Sequence, residues 1–309
     1  MTTMRAVSYD QFGDDSALAV TQQPMPKVAP GEVLVRVRAA GVNPVDWKVL
    51  AGGLEAIMET QFPVIPGWDL AGVVEQVGID VSEYAVGDEV IGYARKDWVH
   101  AGTFAEFVSV PRRCLARKPA RLSWQQAAGL PLAGLTAYQV LHRLGLAQGR
   151  TVLIHGGAGG VGSIGVQIAA AAGGRVIATA SEGNHEYLRG LGAEPVRYGD
   201  GLADRVRALA PDGVDLVADF VGGVLQPTLA VLADGGVHAS IADPAVLGAG
   251  GQWMWVHPHA DDLAALADLA QSGAVEVEVA ATFGLDDVPA AFALSREGHT
   301  RGKIVIDVA

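Results

Sequence analysis

The densest chemistry-bearing stretch runs from Thr151 to Ala180, TVLIHGGAGGVGSIGVQIAAAAGGRVIATA, in which Gly157, Gly159 and Gly162 follow the spacing G-x-G-x-x-G. An apolar strand leads into it, a helix of small residues follows, and a second apolar strand begins at Arg175. Glycine suits three demands of such a turn: it bends tightly, lets backbone approach a pyrophosphate, and lets the helix pack close to the sheet. The amides and dipole at the helix start favour a dianion there. The spacing therefore predicts a dinucleotide cradle lined by Gly156, Gly157, Gly159, Gly160, Val161 and Gly162. A G-x-x-x-x-G-K-[ST] phosphate loop is the nearest rival, but Ser163 stands where it needs lysine.

Which dinucleotide would bind turns on the end of the second strand. A carboxylate there holds a ribose 2′-hydroxyl and repels a 2′-phosphate. Thr179-Ala180-Ser181 has no acid at its tip, so NADPH is expected over NADH, although Glu182 follows directly and keeps NADH in play. Thr179, Ser181 and Tyr198 are candidate contacts, and Arg189, Arg197 and Arg301 are the basic residues available for a phosphate.

These residues need a frame, and the chain supplies two patterns. Glu32–Ala39 alternates apolar and polar residues with the period of a half-buried strand, and Val73–Val77, Glu89–Ile91 and Phe104–Val110 are further short strands. From Ser123 helical spacing takes over at Trp124–Leu130 and Gly134–Leu144. After Gly149 strands and helices alternate. The strands are Thr151–His155, Arg175–Ala180, Leu216–Phe220 and Gly236–Ile241; the helices are Gly160–Ala172, Glu186–Leu191, Leu202–Ala210 and Gln226–Leu232. That alternation predicts a doubly wound parallel sheet. The tail returns to strands at Val275–Thr282 and Lys303–Val308 around a helix at Val288–Arg296. The expected fold class is thus α/β: a β-rich domain of residues 1–125 completed by 266–309, with a dinucleotide-binding domain of 126–265 between its parts.

Composition excludes several classes. With 34 acids against 22 bases the formal charge is −12, and no basic run exceeds Arg112-Arg113, which argues against nucleic acid and against a membrane surface. No secretion signal is read at the N-terminus, and the apolar stretch from Thr151 is broken by glycines, His155, Gln167 and Arg175, so a cytoplasmic protein is expected. The single Cys114 rules out an intrachain disulfide and a four-cysteine zinc site, and reads as a buried, inert thiol.

Beyond the glycine turn, an ordered series of motifs resembles the medium-chain dehydrogenase/reductase superfamily, on its zinc-free quinone oxidoreductase side. The series comprises AAGVNPVDWK (Ala39–Lys48), PGWDLAGVVEQVG (Pro66–Gly78), VGDEVIG (Val86–Gly92), GTFAEFVSV (Gly102–Val110), AAGLPLAGLTAYQVL (Ala127–Leu141) and RGKIVI (Arg301–Ile306). The resemblance spans the whole chain and implies a GroES-like catalytic domain, a Rossmann domain and a cleft between them. Zinc alcohol dehydrogenases of the superfamily carry a cysteine ligand within the segment that reads Val42-Asn43-Pro44-Val45-Asp46 here, and His-Glu where this chain has Trp68-Asp69. No metal site is therefore expected, with His257 and His259 read as exposed loop residues.

By the same resemblance, Asn43 and Asp46 of N-x-x-D line the substrate and nicotinamide cleft, with Asp46 as loop organiser more than acid; the alternative is that both merely tie down a turn. Lys48 stands where some relatives carry tyrosine and is a candidate for stabilising an oxyanion. Thr136 is expected beside the nicotinamide, and Val221, Ile241, Arg301 and Lys303 complete the expected cofactor contacts. The activity implied is hydride transfer from NADPH to a quinone or α,β-unsaturated carbonyl, the proton coming from solvent. An enoyl reductase acting on a thioester or polyketide is an alternative, and a non-catalytic NADPH-binding sensor is an alternative of another class. Acceptor choice is expected from Leu50–Phe62 and Gly251–Pro258, with Trp253 and Trp255 alternating as on a strand. The resemblance further implies a homodimer through Gly235–Ile241 and Gln252–Val256 at the edge of the Rossmann sheet.

Overall fold

The computed structural model describes residues 2–308. Two compact units emerge, one built from the chain up to Leu132 together with Pro258–Gly273 and the stretch from Val277, the other from Ala133–His257 with Ala274–Glu276.

The second unit is a six-stranded, all-parallel sheet. Its spatial order is Ala193–Arg197, Arg175–Ala180, Thr151–His155, Val214–Asp219, Leu232–Ser240 and Gln252–Trp253. Numbered along the chain these are 3-2-1-4-5-6, so the order reverses beside the first strand, where open α/β sheets bind ligands at their carboxyl ends. Strand residues Val152, Leu153, Ile154, Ile177, Ala178, Val217 and Ala218 are all buried, the mark of a parallel sheet covered on both faces. Helices Gly160–Ala171, His185–Gly190, Leu202–Leu209 and Leu225–Val231 make the crossovers.

The strand Ala193–Arg197 is an addition to the sequence reading; Pro195 within its five residues disguises it. Leu232–Ser240 is an interior strand rather than an edge, because Gln252–Trp253 pairs outside it. That edge strand is only two residues long, so Trp255 lies beyond it; Trp253 and Trp255 are both largely exposed.

The first unit is organised around the long strand Glu32–Val42. It pairs antiparallel with Lys303–Asp307, Asp69–Val77 and Phe107–Pro111, and the sheet extends through Glu89–Tyr93 to Leu115–Arg117 and, on the other side, to Val279–Gly284. An N-terminal hairpin, Thr3–Ser8 with Ala19–Pro24, lies outside the strands read from sequence. So does the helix Ala260–Ser272, whose Leu263, Leu266, Ala267 and Ala270 form a buried stripe. His259 caps that helix, its Nδ1 accepting the N–H of Asp262 at 3.3 Å. A short helix, Pro44–Leu50, follows the long strand at once, with proline at its first position where no amide is needed. Among the described residues no helix is long and apolar enough to cross a membrane.

Candidate active site

The glycine turn sits at the carboxyl end of the first strand of the parallel sheet, and each of its glycines has a different reason. Gly156 adopts φ +74°, and a Cβ there would lie 2.5 Å from Val221 Cγ1. At Gly162 a Cβ would meet the Gly156 carbonyl oxygen at 2.1 Å, so strand end and helix start touch through backbone. Gly157 packs against Ala178. Gly159 differs: its φ of −74° is open to any residue, and the nearest atom to its missing Cβ is the Gly156 oxygen at 3.4 Å. It precedes the helix Gly160–Ala171, whose first turn closes with the Ser163 N–H donating to Gly159 O at 2.9 Å. The amides of Gly160, Val161 and Gly162 stand ahead of that bond, outside the helical ladder. The turn therefore combines close backbone packing behind with open space and a positive helix end in front, which fits a pyrophosphate.

Thr179 is expected at the nucleotide but is buried, with its hydroxyl accepting the Gly156 N–H at 3.0 Å and its carbonyl accepting the Gly157 N–H at 2.9 Å. It braces the turn. Ser181 and Tyr198 follow strand residues Ala180 and Arg197, which are register partners, so both emerge at the same carboxyl edge. Tyr198 is exposed, whereas Ser181 accepts the Asn184 side-chain amide at 3.3 Å.

Sequence reasoning missed the brace below Val221 and Ile241. Asp219 Oδ1 accepts the N–H groups of Val221 and Gly222, each at 2.9 Å, and Oδ2 accepts the Ser240 hydroxyl at 2.7 Å. Ser240 Oγ in turn accepts from Ala242 and Asp243 N–H. Strands ending in Asp and Ser, each followed by a small-residue turn, are the signal that would have found it. His155, at the end of the first strand, is held neutral by burial, its pKa down at about 4 although Asp219 pulls the other way.

In the first unit the structure brings Asn43, Asp46 and Lys303 together with Asp69, all buried. Asn43 ends the long strand and opens the helix Pro44–Leu50. Its backbone N–H donates to Asp46 Oδ2 at 2.7 Å, one helical turn on. Its side chain is engaged at both ends: Nδ2 donates to Asp69 Oδ2 at 2.9 Å, and Oδ1 accepts from Lys303 Nζ. Lys303 also donates to Val42 O at 3.0 Å, while Asp69 Oδ1 accepts the Leu132 N–H at 2.8 Å. Lys303 was expected at the cofactor; the ammonium instead closes this network.

Burial raises both carboxyls. Asp69 reaches about 6, with Lys303 and the Asn43 amide opposing the rise. Asp46 goes to about 8, burial outweighing its bond from Asn43, with Asp69 adding and Lys303 subtracting. Burial also pulls Lys303 below the ordinary lysine range, with both aspartates opposing. Near neutrality Asp69 is therefore favoured as the carboxylate and Asp46 as the protonated acid, beside the Lys303 nitrogen that donates to Val42 O and Asn43 Oδ1. Asp46 also lines a small cavity with Val49, Ile65, Trp68, Trp98 and His100.

Other expected residues fall elsewhere. Lys48 is exposed, with Nζ 5.4 Å from the centroid of the Trp47 ring. Arg301 is paired with Glu278 at 3.0 Å. Thr136 is buried in the helix Pro131–Arg143.

Comparison with known proteins agrees with this architecture. A family model for the alcohol dehydrogenase GroES-like domain matches residues 29–120, and one for zinc-binding dehydrogenases matches residues 191–306. The 2-methylene-furan-3-one reductase of Solanum lycopersicum is 35% identical over 98% of this chain and 79% of its own. The chain belongs to the medium-chain dehydrogenase/reductase superfamily. Another similar member is the chloroplastic NADPH-dependent alkenal/one oxidoreductase of Arabidopsis thaliana, 34% identical with the same coverage. The quinone oxidoreductase structure from Coxiella burnetii superposes with a TM-score of 0.88 at 33% identity, over 100% of both chains. The superfamily's GroES-like and Rossmann folds are both present, and the chain is an oxidoreductase.

Two predictions follow from these geometries. Gly162→Ala should lower stability by about 3 kcal/mol through overpacking, whereas Gly159→Leu should leave the melting temperature nearly unchanged and abolish NADPH binding. Calorimetry and nucleotide titration separate the two, and wild-type binding by the Gly159 variant would remove the turn from the cofactor site. The second concerns pH. Asp46 and Asp69 hold protons more tightly folded than at their ordinary 3.8, so their contribution to stability is complete below that value. It is lost as pH rises, through about 6 for Asp69 and about 8 for Asp46. Lys303, displaced downward, works in the opposite sense: its contribution is complete above its ordinary 10.5 and is lost as pH falls. Denaturant midpoints should thus fall across the interval up to pH 8 in the wild type and less steeply in Asp46→Asn; superimposable profiles would refute a protonated Asp46.

Proposed function

We propose that this oxidoreductase reduces a quinone or an α,β-unsaturated carbonyl with NADPH and without zinc. The observation that carries the reading is the glycine turn at the reversal point of the parallel sheet, closed behind by Gly156, Gly157 and Gly162 and open in front of Gly159. The backbone of Gly156–Gly162 would hold the pyrophosphate, with Ser181 and Tyr198 at the adenosine ribose and Val221 and Ile241 along the far side of the turn. The bound nucleotide supplies a hydride.

The residues do not fit a catalytic zinc. Such a site needs three protein ligands and an open fourth position. Among the described residues no three His, Cys, Asp or Glu side chains gather in that way. Asp69 instead faces Asn43 and feels the field of Lys303, a cation the chain already carries.

An activated alkene or quinone asks little of side chains. It needs a fixed approach, exclusion of water and a hydrogen-bond donor at the oxygen that gains charge. In keeping with this, the bonds that join Asn43 to Asp46, Asp69 and Lys303 hold the loop that carries Asn43 and Asp46. The relatives named for alkenal/one and furanone reduction support the same class of acceptor.

Purified protein mixed with NADPH and 9,10-phenanthrenequinone should oxidise the nucleotide, as followed by the absorbance of the reduced nicotinamide, and a chelator should leave the rate unchanged. A small enone should serve as a second acceptor. Loss of activity with chelator would overturn the zinc-free reading; turnover of an enoyl thioester alone would overturn the acceptor class.

A further inference from the structure

At the carboxyl edge of the parallel sheet two opposed charges face each other where the adenosine ribose is expected. Ala180 and Arg197 are register partners on adjacent strands. Glu182 opens the short turn Glu182–Asn184 after the first of these strands, and its Oε1 lies 3.6 Å from Arg197 Nη1. Both side chains are well exposed, at 66% for Arg197 and 74% for Glu182.

The backbone beneath Arg197 is fixed even though its side chain is exposed. Arg205 donates from Nε and Nη2 to Arg197 O at 3.0 and 2.8 Å, and from Nη1 to Asp200 O at 2.9 Å. Its guanidinium is thereby committed to the turn that carries Arg197 and Tyr198. Of the three arginines the sequence offers for a phosphate, Arg301 is paired with Glu278, and Arg197 is the one that faces the residue following Ser181.

We propose that Glu182 and Arg197 form a selector that admits both NADPH and NADH. The inference rests on the dinucleotide reading given above. A carboxylate accepts hydrogen bonds from a ribose 2′-hydroxyl and repels a 2′-phosphate, whereas a guanidinium pairs with the phosphate in fork geometry. In the free protein each group occupies the other. An exposed ion pair of this kind contributes little, so a 2′-phosphate separates it readily. With NADPH, Arg197 turns to the phosphate and Glu182 swings to solvent. With NADH, Glu182 takes the 2′-hydroxyl and Arg197 remains beside it, neutralising its charge. The result is a modest preference rather than exclusion, because each cofactor finds one suitable group.

The test is a set of nucleotide titrations by calorimetry on the full chain, with NADPH and NADH against wild type, Arg197→Gln and Glu182→Gln. Arg197→Gln should weaken NADPH about tenfold more than NADH. Glu182→Gln should shift the ratio of dissociation constants about threefold the other way, toward NADPH. Added salt should weaken NADPH binding more in the wild type than in Arg197→Gln, because the contact is exposed and screened. Nucleotide binding with an unchanged NADPH to NADH ratio in both variants would overturn the selector alone. Failure of the wild type to bind either nucleotide would overturn the dinucleotide reading and the selector with it.

Discussion

A lysine ammonium buried beside two aspartates sets the terms for the catalytic unit. A lone buried charge is prohibitively unfavourable, and even a paired one must have its remaining donors satisfied. Lys303 meets both conditions only if Val42 O, the Asn43 side chain and the two aspartates come to it. Those groups belong to the end of the long strand, the start of the helix Pro44–Leu50 and the head of the strand Asp69–Val77, and through Asp69 the network reaches the Leu132 amide. The last strand of the chain thus lies beside the long strand with Ile304 opposite Val42, and the loop that bears N-x-x-D is fixed at the same moment. The buried lysine, the two aspartates and Asn43 thereby hold one another in place.

The second unit solves the same kind of problem at the ends of its strands. Its functional edge is made of strand ends, where backbone groups leave the sheet and need new partners. Thr179 takes the Gly156 and Gly157 amides, and Asp219 takes those of Val221 and Gly222. Ser240 links Asp219 to the turn after the fifth strand. Side chains at this edge are braces, and the surface left for a ligand is largely backbone. A pyrophosphate is suited to such a surface because amides and a helix start can hold it without a lysine.

The glycine turn was legible because each requirement maps to one residue type over a short distance, and the strands around it carry enough apolar residues to be read. The long strand Glu32–Val42 was legible as far as Ala39, where burial alternates from Val35 on, and runs on through the buried residues Ala40, Gly41 and Val42. The helix Ala260–Ser272 had its signal in plain view at the helical spacing of Leu263, Leu266, Ala267 and Ala270, a segment to which the sequence reading assigns no element. The bond from Lys303 to Asn43 could not be read, because 260 residues separate the partners and nothing local to either specifies the other. Thr179 shows the same gap at short range: a threonine at a strand end reads equally as a ligand contact or as a brace, and only the position of the Gly156 amide decides between them.

Asn43 shows how these constraints divide the work of the site. A primary amide has one acceptor end and one donor end, and here Lys303 takes the first and Asp69 the second. Those two bonds fix the plane of the amide while leaving its second N–H and second lone pair outside them. The asparagine acts through the network it completes, fixing the loop and the cation together. Asp46, tied to the Asn43 backbone and kept protonated by burial, reinforces that loop without adding charge. Chemistry that needs an accurately held pair of reactants more than a reactive side chain can run on such a scaffold. That follows from residues chosen to hold one another in place, leaving shape and backbone to meet the substrate.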